Sequence, residues 1–515
     1  MKIKFVLLFA TTILFFGIYG WRCSSSKKTH RQDPHSSQST GVSSTDSSSS
    51  EKISPEVSPA VSSRASSPAS KNSNAAPAIN ISTTHPVPLY KDIHAGVAVD
   101  IFFAKGMVPR DILSDPYFSF IKSFNFTSLQ YVGGSTTDHD HVIIGDTRIT
   151  GGKGDGYNVN QADVRARGED FNTLDAGADK VHFGKDFFNE YCALLNKLGI
   201  TGDIVANVQV GTLDELYWKI DQSHARRVMF GQEQDLVSNE HVFPNGNSYK
   251  QKVTPWIEQV KKKYPSIQTV IDAAPVYRPN ERFSSWNNAL KDMPGDEVRV
   301  YLWDIDALKW QPDANQNLAA MDEVFNVTFP GWFTRIRKVY PDKKIAVCQW
   351  GIKAKSEVAN SMLACIYIGK FYKFMIDYNK AHNNYISYAS WMTIKSLNRN
   401  GETANHALPL RACGKLFYGN KRVLDLDVNG INGVSGVACD DPDASGGKYT
   451  LLLINETGNE VSLSNITVND APVQGKKFTV TSVNAASLSS MSVSMDTKTY
   501  SSLSLHPYSV NVVEF

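Results

Sequence analysis

Polar side chains recur along this 515-residue chain at the points where short apolar runs end. The clearest acid among them is Glu233, which follows the apolar residues 228–230 together with the amide of Gln232. A carboxyl group in such a place can donate or accept a proton, and a neighbouring amide can hydrogen-bond a ligand hydroxyl. Glu233 could also be a solvated loop carboxylate. Its position directly after a buried run favours a pocket.

Other candidates share this placement after an apolar run. Asp304 and Asp306 follow the run that ends at Trp303, and either could supply a second carboxyl group, as could Glu240 in the loop after Glu233. The remaining candidates could contact a ligand: Asp100, Gly134, Ser135, His139, Asn207, Gln349, Trp350 and Trp391. For some of these a structural role is an equal alternative. The two tryptophans could serve simply to close the mouth of a barrel, and a buried amide such as Gln349 needs hydrogen-bond partners wherever it points.

The elements that must position these residues alternate between two periodicities. Short β-branched runs, typical of strands, lie near residues 95–103, 128–132, 202–208, 227–231, 267–273, 297–303, 345–350 and 385–392. Between them, amphipathic patterns predict helices near residues 185–198, 213–223, 249–263, 332–339 and 361–379. This alternation is typical of βα units, and eight parallel strands can close a (β/α)8 barrel. The carboxyl ends of such strands meet at one face, so the candidate residues are expected to lie together there.

The pattern changes after about residue 420 to alternating strands near residues 448–455, 461–468, 477–483 and 508–515. We therefore predict an α/β fold in which a barrel over residues 85–420 is followed by a small antiparallel β-sandwich over residues 421–515. A packing role for this second domain is favoured over ligand binding.

The N-terminal end has the layout of an export signal. Residues 1–23 contain a short basic segment and then an apolar run, and the segment is either cleaved or kept as an N-terminal membrane tether. Residues 24–84 are rich in Ser and poor in large apolar side chains, which predicts a disordered linker. The expected location is therefore secreted or tethered at the cell surface.

Composition narrows the functional classes. The 53 Lys and Arg against 51 Asp and Glu give a net charge of only +2, so no nucleic-acid partner is indicated. The sequence has no P-loop, dinucleotide fingerprint or metal-ligand spacing, and we predict no cofactor and no metal. Cys413 and Cys439 flank the predicted domain junction and could pair in an oxidising compartment, whereas Cys348 and Cys365 are expected in the core.

Five stretches in order along the chain resemble a clan of retaining glycoside hydrolases that includes arabinofuranosidases, xylosidases, heparanase-like glucuronidases and glucosylceramidase-like enzymes. Residues 129–135 (LQYVGGS) are similar to the second-strand LRxPGG of these families, and residues 203–212 (DIVANVQVGT) to their third strand. Residues 229–233 (MFGQE) align with the fourth-strand GNE, 347–351 (VCQWG) with the seventh-strand TEWG, and 507–513 (PYSVNVV) with their last strand. The resemblance covers about residues 90–515 and implies an oligosaccharide or polysaccharide ligand.

The resemblance also implies roles for individual residues, and at three of these positions the sequence departs from the family pattern. Retaining glycosidases use two carboxyl groups about 5 to 5.5 Å apart, one as acid/base and one as nucleophile. Glu233 matches the acid/base, whereas Gln349 holds the nucleophile position, and an uncharged amide is a poor nucleophile. Gln232 replaces the Asn that hydrogen-bonds the sugar 2-hydroxyl, and Gln130 replaces an Arg that supports the carboxylates.

Three hypotheses remain open at this point. In the first, the chain is a pseudoenzyme that binds a saccharide without cleaving it. In the second, it is an active O-glycosyl hydrolase in which Asp304, Asp306 or Glu240 takes the second carboxyl role, at a wider separation that suits inversion through water. In the third, it is a structural or adhesive surface protein.

Overall fold

A computed structural model describes residues 78–99, 113, 117–131, 185–209, 211–277, 280–354, 356–392, 394–399, 402–429, 431–444 and 448–515. The predicted export segment and most of the predicted linker lie outside these residues. Within them, no helix combines the length and the apolar character needed to cross a membrane.

Eight parallel strands form a closed barrel. After β1 (Ala78–Pro88), which belongs to another sheet, they are β2 (Ala95–Val99), β3 (Ser128–Tyr131), β4 (Thr201–Ala206), β5 (Arg227–Phe230), β6 (Gln268–Ile271), β7 (Glu297–Trp303), β8 (Lys344–Gly351) and β9 (Ile386–Trp391). Each strand pairs with the next, and β9 pairs back with β2. The predicted barrel is therefore confirmed, although the predicted strands at 202–208 and 267–273 ran two residues past the observed carboxyl ends of β4 and β6.

Helices surround the barrel. They are α1 (Tyr117–Lys122), α2 (Lys185–Leu198), α3 (Leu213–Ser223), α4 (Gly246–Lys263), α5 (Glu281–Leu290), α6 (Asp304–Ala307), α7 (Ala314–Glu323), α8 (Phe329–Val339), α9 (Ser356–Ala359), α10 (Met362–Ala381), α11 (Ile394–Leu397) and α12 (Ala407–Cys413). Short 3-10 turns cover Lys91–His94, Val237–Asn239 and Gly414–Phe417, and a π-helical turn covers Val324–Thr328.

Side-chain caps mark the start of α3, α4 and α5. Thr212 accepts a hydrogen bond from the backbone of Glu215 at the start of α3, and Asn245 forms a capping box with Ser248 in α4. The side chain of Asn280 accepts a hydrogen bond from the backbone N–H of Phe283 at the start of α5. Helix α5 was not predicted, because its Ser, Asn and aromatic residues have low helix propensity. The cap and its buried residues, Trp286 among them, offset this deficit.

The remaining strands lie outside the barrel, and all of them except β10 and β11 belong to the second domain. They are β10 (Asn398–Arg399), β11 (Glu402–Thr403), β12 (Arg422–Asn429), β13 (Val434–Asp441), β14 (Lys448–Asn455), β15 (Val461–Leu463), β16 (Asn465–Val468), β17 (Ala471–Pro472), β18 (Phe478–Asn484), β19 (Ser494–Tyr500), β20 (Leu503–Leu505) and β21 (Ser509–Glu514). A nine-stranded sheet has the order β17-β16-β1-β12-β13-β14-β21-β18-β19, while β10-β11 and β15-β20 form two-stranded sheets. The predicted strand at 461–468 is thus two strands in different sheets.

Strand β1 corrects the predicted linker boundary. Residues 78–84 were assigned to the linker, yet they pair with β12 and β16 inside the nine-stranded sheet. The physical reason is their alternation, since Ile79 and Ile81 are fully buried on one face while their neighbours are partly exposed. The second domain therefore takes an interior strand from a segment that precedes the barrel.

The nine-stranded sheet is apolar on both faces. Leu451 and Leu453 of β14 face a core closed by β15 and β20, whereas Leu452 and Ile454 join the core shared with the barrel helices. Gly369 of α10 makes this contact close, because a Cβ atom there would lie 3.1 Å from Val510. Strand alternation thus fixes the sheet domain to the flank of the barrel.

The predicted cysteine pair does not form. Cys413 and Cys439 are both buried free thiols, as are Cys348 and Cys365, whose core position was predicted correctly. Cys413 packs within α12 and Cys439 within β13, so each fills apolar space in the domain interface.

Candidate functional site

The turn that follows β5 carries the candidate acid. Gly231 has a φ of 85°, and Glu233 has a φ of 56°, which is uncommon for a residue with a side chain. A Cβ atom at Gly231 would lie 2.7 Å from the side chain of Gln234, so the turn needs glycine there. Holding Glu233 in the left-handed region costs on the order of 1 kcal/mol or more, and such a residue persists only where its surroundings hold it.

Neighbouring strands hold this turn in place. The carboxylate of Asp272, which follows β6, accepts a hydrogen bond from the backbone N–H of Gln234 at 2.6 Å. Arg299 of β7 donates to the carbonyl of Gly231 and contacts Asp272 at 3.3 Å. The side chain of Asn239 donates to the carbonyl of Glu233 at 2.8 Å. The carboxyl group of Glu233 is thus presented by a turn that three other elements fix.

Buried acids surround Glu233. Burial raises the pKa of Asp235 well above its usual range, and the charges of Asp272 and Glu233 raise it further. Burial also raises the pKa of Asp272, although Arg299 opposes that shift. Burial holds the pKa of the Tyr301 hydroxyl well above 10 as well, so this group remains a hydrogen-bond donor at neutral pH. The structure therefore gathers three carboxyl groups and a protonated phenol at the carboxyl ends of β5, β6 and β7.

Gln232 has an unusual environment. Its side chain is only 1% exposed, and neither its amide oxygen nor its amide nitrogen has a hydrogen-bond partner among the described residues. A buried polar group left unpaired costs about 1 to 3 kcal/mol, so native proteins rarely keep one without a reason. This amide therefore has unused hydrogen-bonding capacity at a strand end, as far as the described residues show.

Gln349 lies on β8 beside the same end of the barrel. The register between β7 and β8 shifts so that Val300 pairs with Val347 and Tyr301 with Gln349, which leaves Cys348 as the extra residue. Such a bulge reverses the alternation of faces. Cys348 faces the barrel interior, and Gln349 follows it on the interior side beside Tyr301, with 7% of its surface exposed.

Trp350 and Trp391 are core residues and not a platform in the mouth. Trp350 stacks on Phe371 of α10 with ring centroids 4.2 Å apart, and its ring meets that of Trp391 edge-on at 4.9 Å. Trp391 also stacks on His406 and donates to Ser396. Both side chains are 1% exposed. For Trp350 the bulge at Cys348 is the reason, because it turns this side chain outward toward α10.

The proposed substitute acids differ in their surroundings. Both carboxylate oxygens of the fully buried Asp304 are engaged, one by Trp310 at 2.6 Å and the other by the backbone N–H of Lys353 at 2.7 Å. Asp304 is therefore a structural residue that joins two loops. Asp306 is half-buried on α6, and Glu240 is exposed 3.7 Å from Arg282 on the surface. Asp306 is the acid of these three that remains close to a strand end and half-accessible.

The other predicted residues divide into two groups. Asn207, 4% exposed after β4, accepts a hydrogen bond from the backbone N–H of Gln209 at 3.1 Å and so shapes its own turn. Asp100, Gly134, Ser135 and His139 lie outside the described residues.

Sequence reasoning missed Asp235, Asp272, Arg299 and Tyr301. Asp272 directly follows the buried residues of β6, the same signal that identified Glu233. It was overlooked because the predicted strand extended to residue 273 and enclosed it. Asp235 could have been found from its spacing of two residues from Glu233.

Solved structures share this fold. An α-L-arabinofuranosidase from Thermotoga maritima, in complex with arabinose, aligns with a TM-score of 0.60 at 13% identity, over 85% of this chain and 100% of its own. The family 51 α-L-arabinofuranosidase of Bifidobacterium longum gives 0.57 at 12% identity, over 86% and 100% of the two chains. A family 44 xyloglucanase from Paenibacillus polymyxa gives 0.55 at 10% identity, over 85% and 99%.

Comparisons of sequence give no further relation, since no protein-family model and no curated protein matches the chain. At these identities the structural likeness shows the fold alone: a (β/α)8 barrel joined to an antiparallel sheet domain, the architecture that these glycoside hydrolases also have.

Proposed function

We propose that this protein binds an extracellular saccharide at the mouth of its barrel without hydrolysing it. The observation that carries the proposal is the amide of Gln232, which is buried and unpaired among the described residues. A sugar hydroxyl can both donate to its oxygen and accept from its nitrogen, which removes the cost of the unpaired group. The likeness to structures of glycoside hydrolases supports the saccharide as the ligand class.

The missing nucleophile supports binding without hydrolysis. In this proposal Glu233 contacts the ligand as a hydrogen-bonding group, while Gln349 stands where a carboxylate would have to attack the anomeric carbon. An amide carries no negative charge to stabilise an oxocarbenium ion and forms no glycosyl ester. Tyr301, in register with Gln349, keeps its proton and adds no nucleophile.

One observation favours a second candidate, an active hydrolase. Glu233 is held in a costly backbone conformation by Asp272 and Arg299, as expected of an acid that must be positioned for chemistry. Asp306 would then act as the second carboxyl group. An inverting route needs the two carboxyl groups about 6.5 to 9.5 Å apart with a water between them.

The test measures binding and turnover together. The full-length protein, a Gln349→Glu variant and a Glu233→Ala variant are assayed for reducing-sugar release from polysaccharides and aryl glycosides, and for binding to the same polysaccharides. We expect the native chain to bind without release and the Gln349→Glu variant to release sugar. Turnover by the native chain that is lost in Glu233→Ala would overturn the proposal in favour of the hydrolase. If the native chain shows neither binding nor turnover, the hypothesis of a structural role is the one that remains.

A further inference from the structure

A groove lies on the flank of the barrel, apart from the mouth. A cavity of about 530 Å³ opens between α10, the π-helical turn at 324–328 and the residues at the start of β13 and just after β14. Helix α10 follows β8 and leads to β9, so it runs from the mouth back toward the amino ends of the strands. The cavity uses the second half of α10 and therefore lies away from Glu233.

One face of α10 forms the floor of the groove. Residues Lys370, Lys373, Phe374, Asp377, Tyr378 and Ala381 line it at spacings of three and four, which places them in a row. At 1.5 Å per residue this row is about 16 Å long. A second cavity of about 480 Å³ adjoins the first at Ala381 and His382, but Arg337, Lys343 and Lys344 line it with Asp342, so it differs in charge from the groove, which ends at His382. Its shape suits an extended chain better than a single small molecule.

Aromatic rings supply the apolar part of the groove. Phe374 and Tyr378 are each 8% exposed, and the exposed His382 stacks on Tyr378 with ring centroids 3.9 Å apart and planes 12° from parallel. Stacked rings of this kind form a flat surface against which the C–H face of a ring-shaped ligand can pack.

The charges in the groove are paired with one another. Lys370, 8% exposed, donates to Asp322 at 2.6 Å and to Glu456 at 2.7 Å, and Lys373 lies 2.6 Å from Asp377. Two ammonium groups therefore meet three carboxylates.

This pairing narrows the class of ligand. An anionic polymer gains no net attraction, because the carboxylates outnumber the ammonium groups. An apolar ligand would have to desolvate the ion pairs without replacing their bonds to water. A chain of neutral hydroxyl groups avoids both disadvantages, since each hydroxyl can donate to a carboxylate or accept from an ammonium group.

We propose that this groove is a second saccharide-binding site, which holds a neutral polysaccharide chain independently of the barrel mouth. The inference rests on the proposed function, from which it takes the ligand class. Two sites on one molecule would raise the affinity for a polymer that reaches both, without any new contact at the mouth.

The experiment separates the two sites with matched variants of the full-length protein. Dissociation constants for soluble xylan and xyloglucan, with polygalacturonate as the acidic comparator, are measured for the wild type, a groove variant (Asp377→Ala with His382→Ala) and a mouth variant (Gln232→Met). Lys380→Ala is the control, because Lys380 is on the same helix but pairs with Asp425 and does not line the groove. Thermal unfolding checks each fold, and Lys373→Ala serves as a second groove variant if the first is unstable.

We expect the groove variant to bind a neutral polymer at least about tenfold more weakly, with the control unchanged and polygalacturonate bound weakly by all. If the groove variant is folded and binds the neutral polymer with the wild-type affinity, the proposal of a second site is wrong, even if the mouth variant loses binding. Loss in the groove variant but not in the mouth variant supports the groove and overturns the proposed mouth function. A wild type that binds no neutral polymer, or prefers polygalacturonate, overturns the groove proposal.

Discussion

At the scale of single residues, Gln232 and Gln234 form a natural comparison. Both amides are buried in the same turn, but Gln234 donates to the carbonyl of Gln232 and accepts from Gln209, whereas Gln232 is unpaired among the described residues. The structure thus separates an amide that is paired within the turn from one that has no partner among the described residues. Replacing each by methionine, which has a similar shape, tests this difference.

We expect Gln232→Met to raise the free energy of unfolding by about 1 kcal/mol and to weaken saccharide binding, because it removes a buried unpaired group. Gln234→Met, the control, should lower the free energy of unfolding by about 1 to 3 kcal/mol, because it leaves two partners unpaired. Denaturant unfolding measures both. If Gln232→Met is as destabilising as Gln234→Met, the amide of Gln232 serves the fold and not a ligand.

A second residue-scale prediction concerns pH. Burial raises the pKa of Asp235 in the folded protein, and Asp272 and Glu233 add to the shift. A raised carboxyl pKa means that the folded state binds the proton more tightly than the unfolded state. The stability from this group is therefore complete below the unfolded pKa of about 4 and is lost as pH rises toward the folded pKa.

Asp235→Asn should therefore stabilise the protein at pH 7 and give little gain near pH 4. The free energy of unfolding of both proteins across this range measures the effect, with the exposed Asp292→Asn as the control. If the substitution raises the free energy of unfolding equally at both pH values, or lowers it at pH 7, the charge of Asp235 does not destabilise the folded protein.

At the scale of elements, α10 connects the barrel to the sheet domain. Gly369 is at the contact, where a Cβ atom would lie 3.1 Å from Val510 and 3.3 Å from Ile454. Gly331 of α8 is a matched position, because a Cβ atom there would meet nothing within 4 Å. The two glycines share a helical setting and differ in what surrounds them.

Gly369→Leu should lower the free energy of unfolding by about 1 to 3 kcal/mol through overpacking. Gly331→Leu should raise it by about 0.5 to 1 kcal/mol, since leucine has the higher helix propensity. Thermal and denaturant unfolding of the two variants check this. Equal effects at both sites would mean that α10 and the sheet do not pack as closely as the structure indicates.

Buried charged residues lie at both ends of the barrel, and the two ends differ in how these charges are paired. At the amino end, Arg227 bonds Glu297 at 2.8 Å, lies 3.6 Å from Asp203 and stacks over Tyr388. At the carboxyl end, the acids Asp235 and Asp272 outnumber Arg299, the buried cation that contacts one of them. Buried ions that are paired serve the fold, whereas the excess acids at the carboxyl end coincide with the candidate site.

At the scale of the whole molecule, β1 joins the segment that precedes the barrel to the sheet that follows it. It lies between β12 and β16 and pairs with both. Without β1, the sheet would lose the buried Ile79 and Ile81 and expose two strand edges. The folded unit must therefore begin at or before residue 78.

We expect a fragment of residues 78–515 to unfold cooperatively at a temperature close to that of the full chain. A fragment of residues 89–515 should unfold several degrees lower, because each buried isoleucine contributes about 2 to 5 kcal/mol. Differential scanning calorimetry of the two fragments provides the comparison. Similar unfolding temperatures would show that β1 adds little to the sheet.

The sequence by itself determined what depends on local periodicity. Alternating runs predicted all eight barrel strands, helices α2 and α3 at their observed bounds, and Glu233 at a strand end. These features were predictable because the periods of strands and helices can be read from neighbouring residues. Two residues of error in a strand end were enough to conceal Asp272.

Tertiary structure alone decided the partners and the directions of side chains. The pairing of β1 with β12 joins residues more than 330 positions apart, and no local sequence pattern indicates which strand is the partner. A single extra residue at Cys348 sets Gln349 beside Tyr301 and turns Trp350 toward Phe371. The pairing that satisfies Gln234 and leaves the amide of Gln232 without a described partner likewise depends on which groups the fold brings within hydrogen-bonding distance. Residue types and spacing do not carry that information.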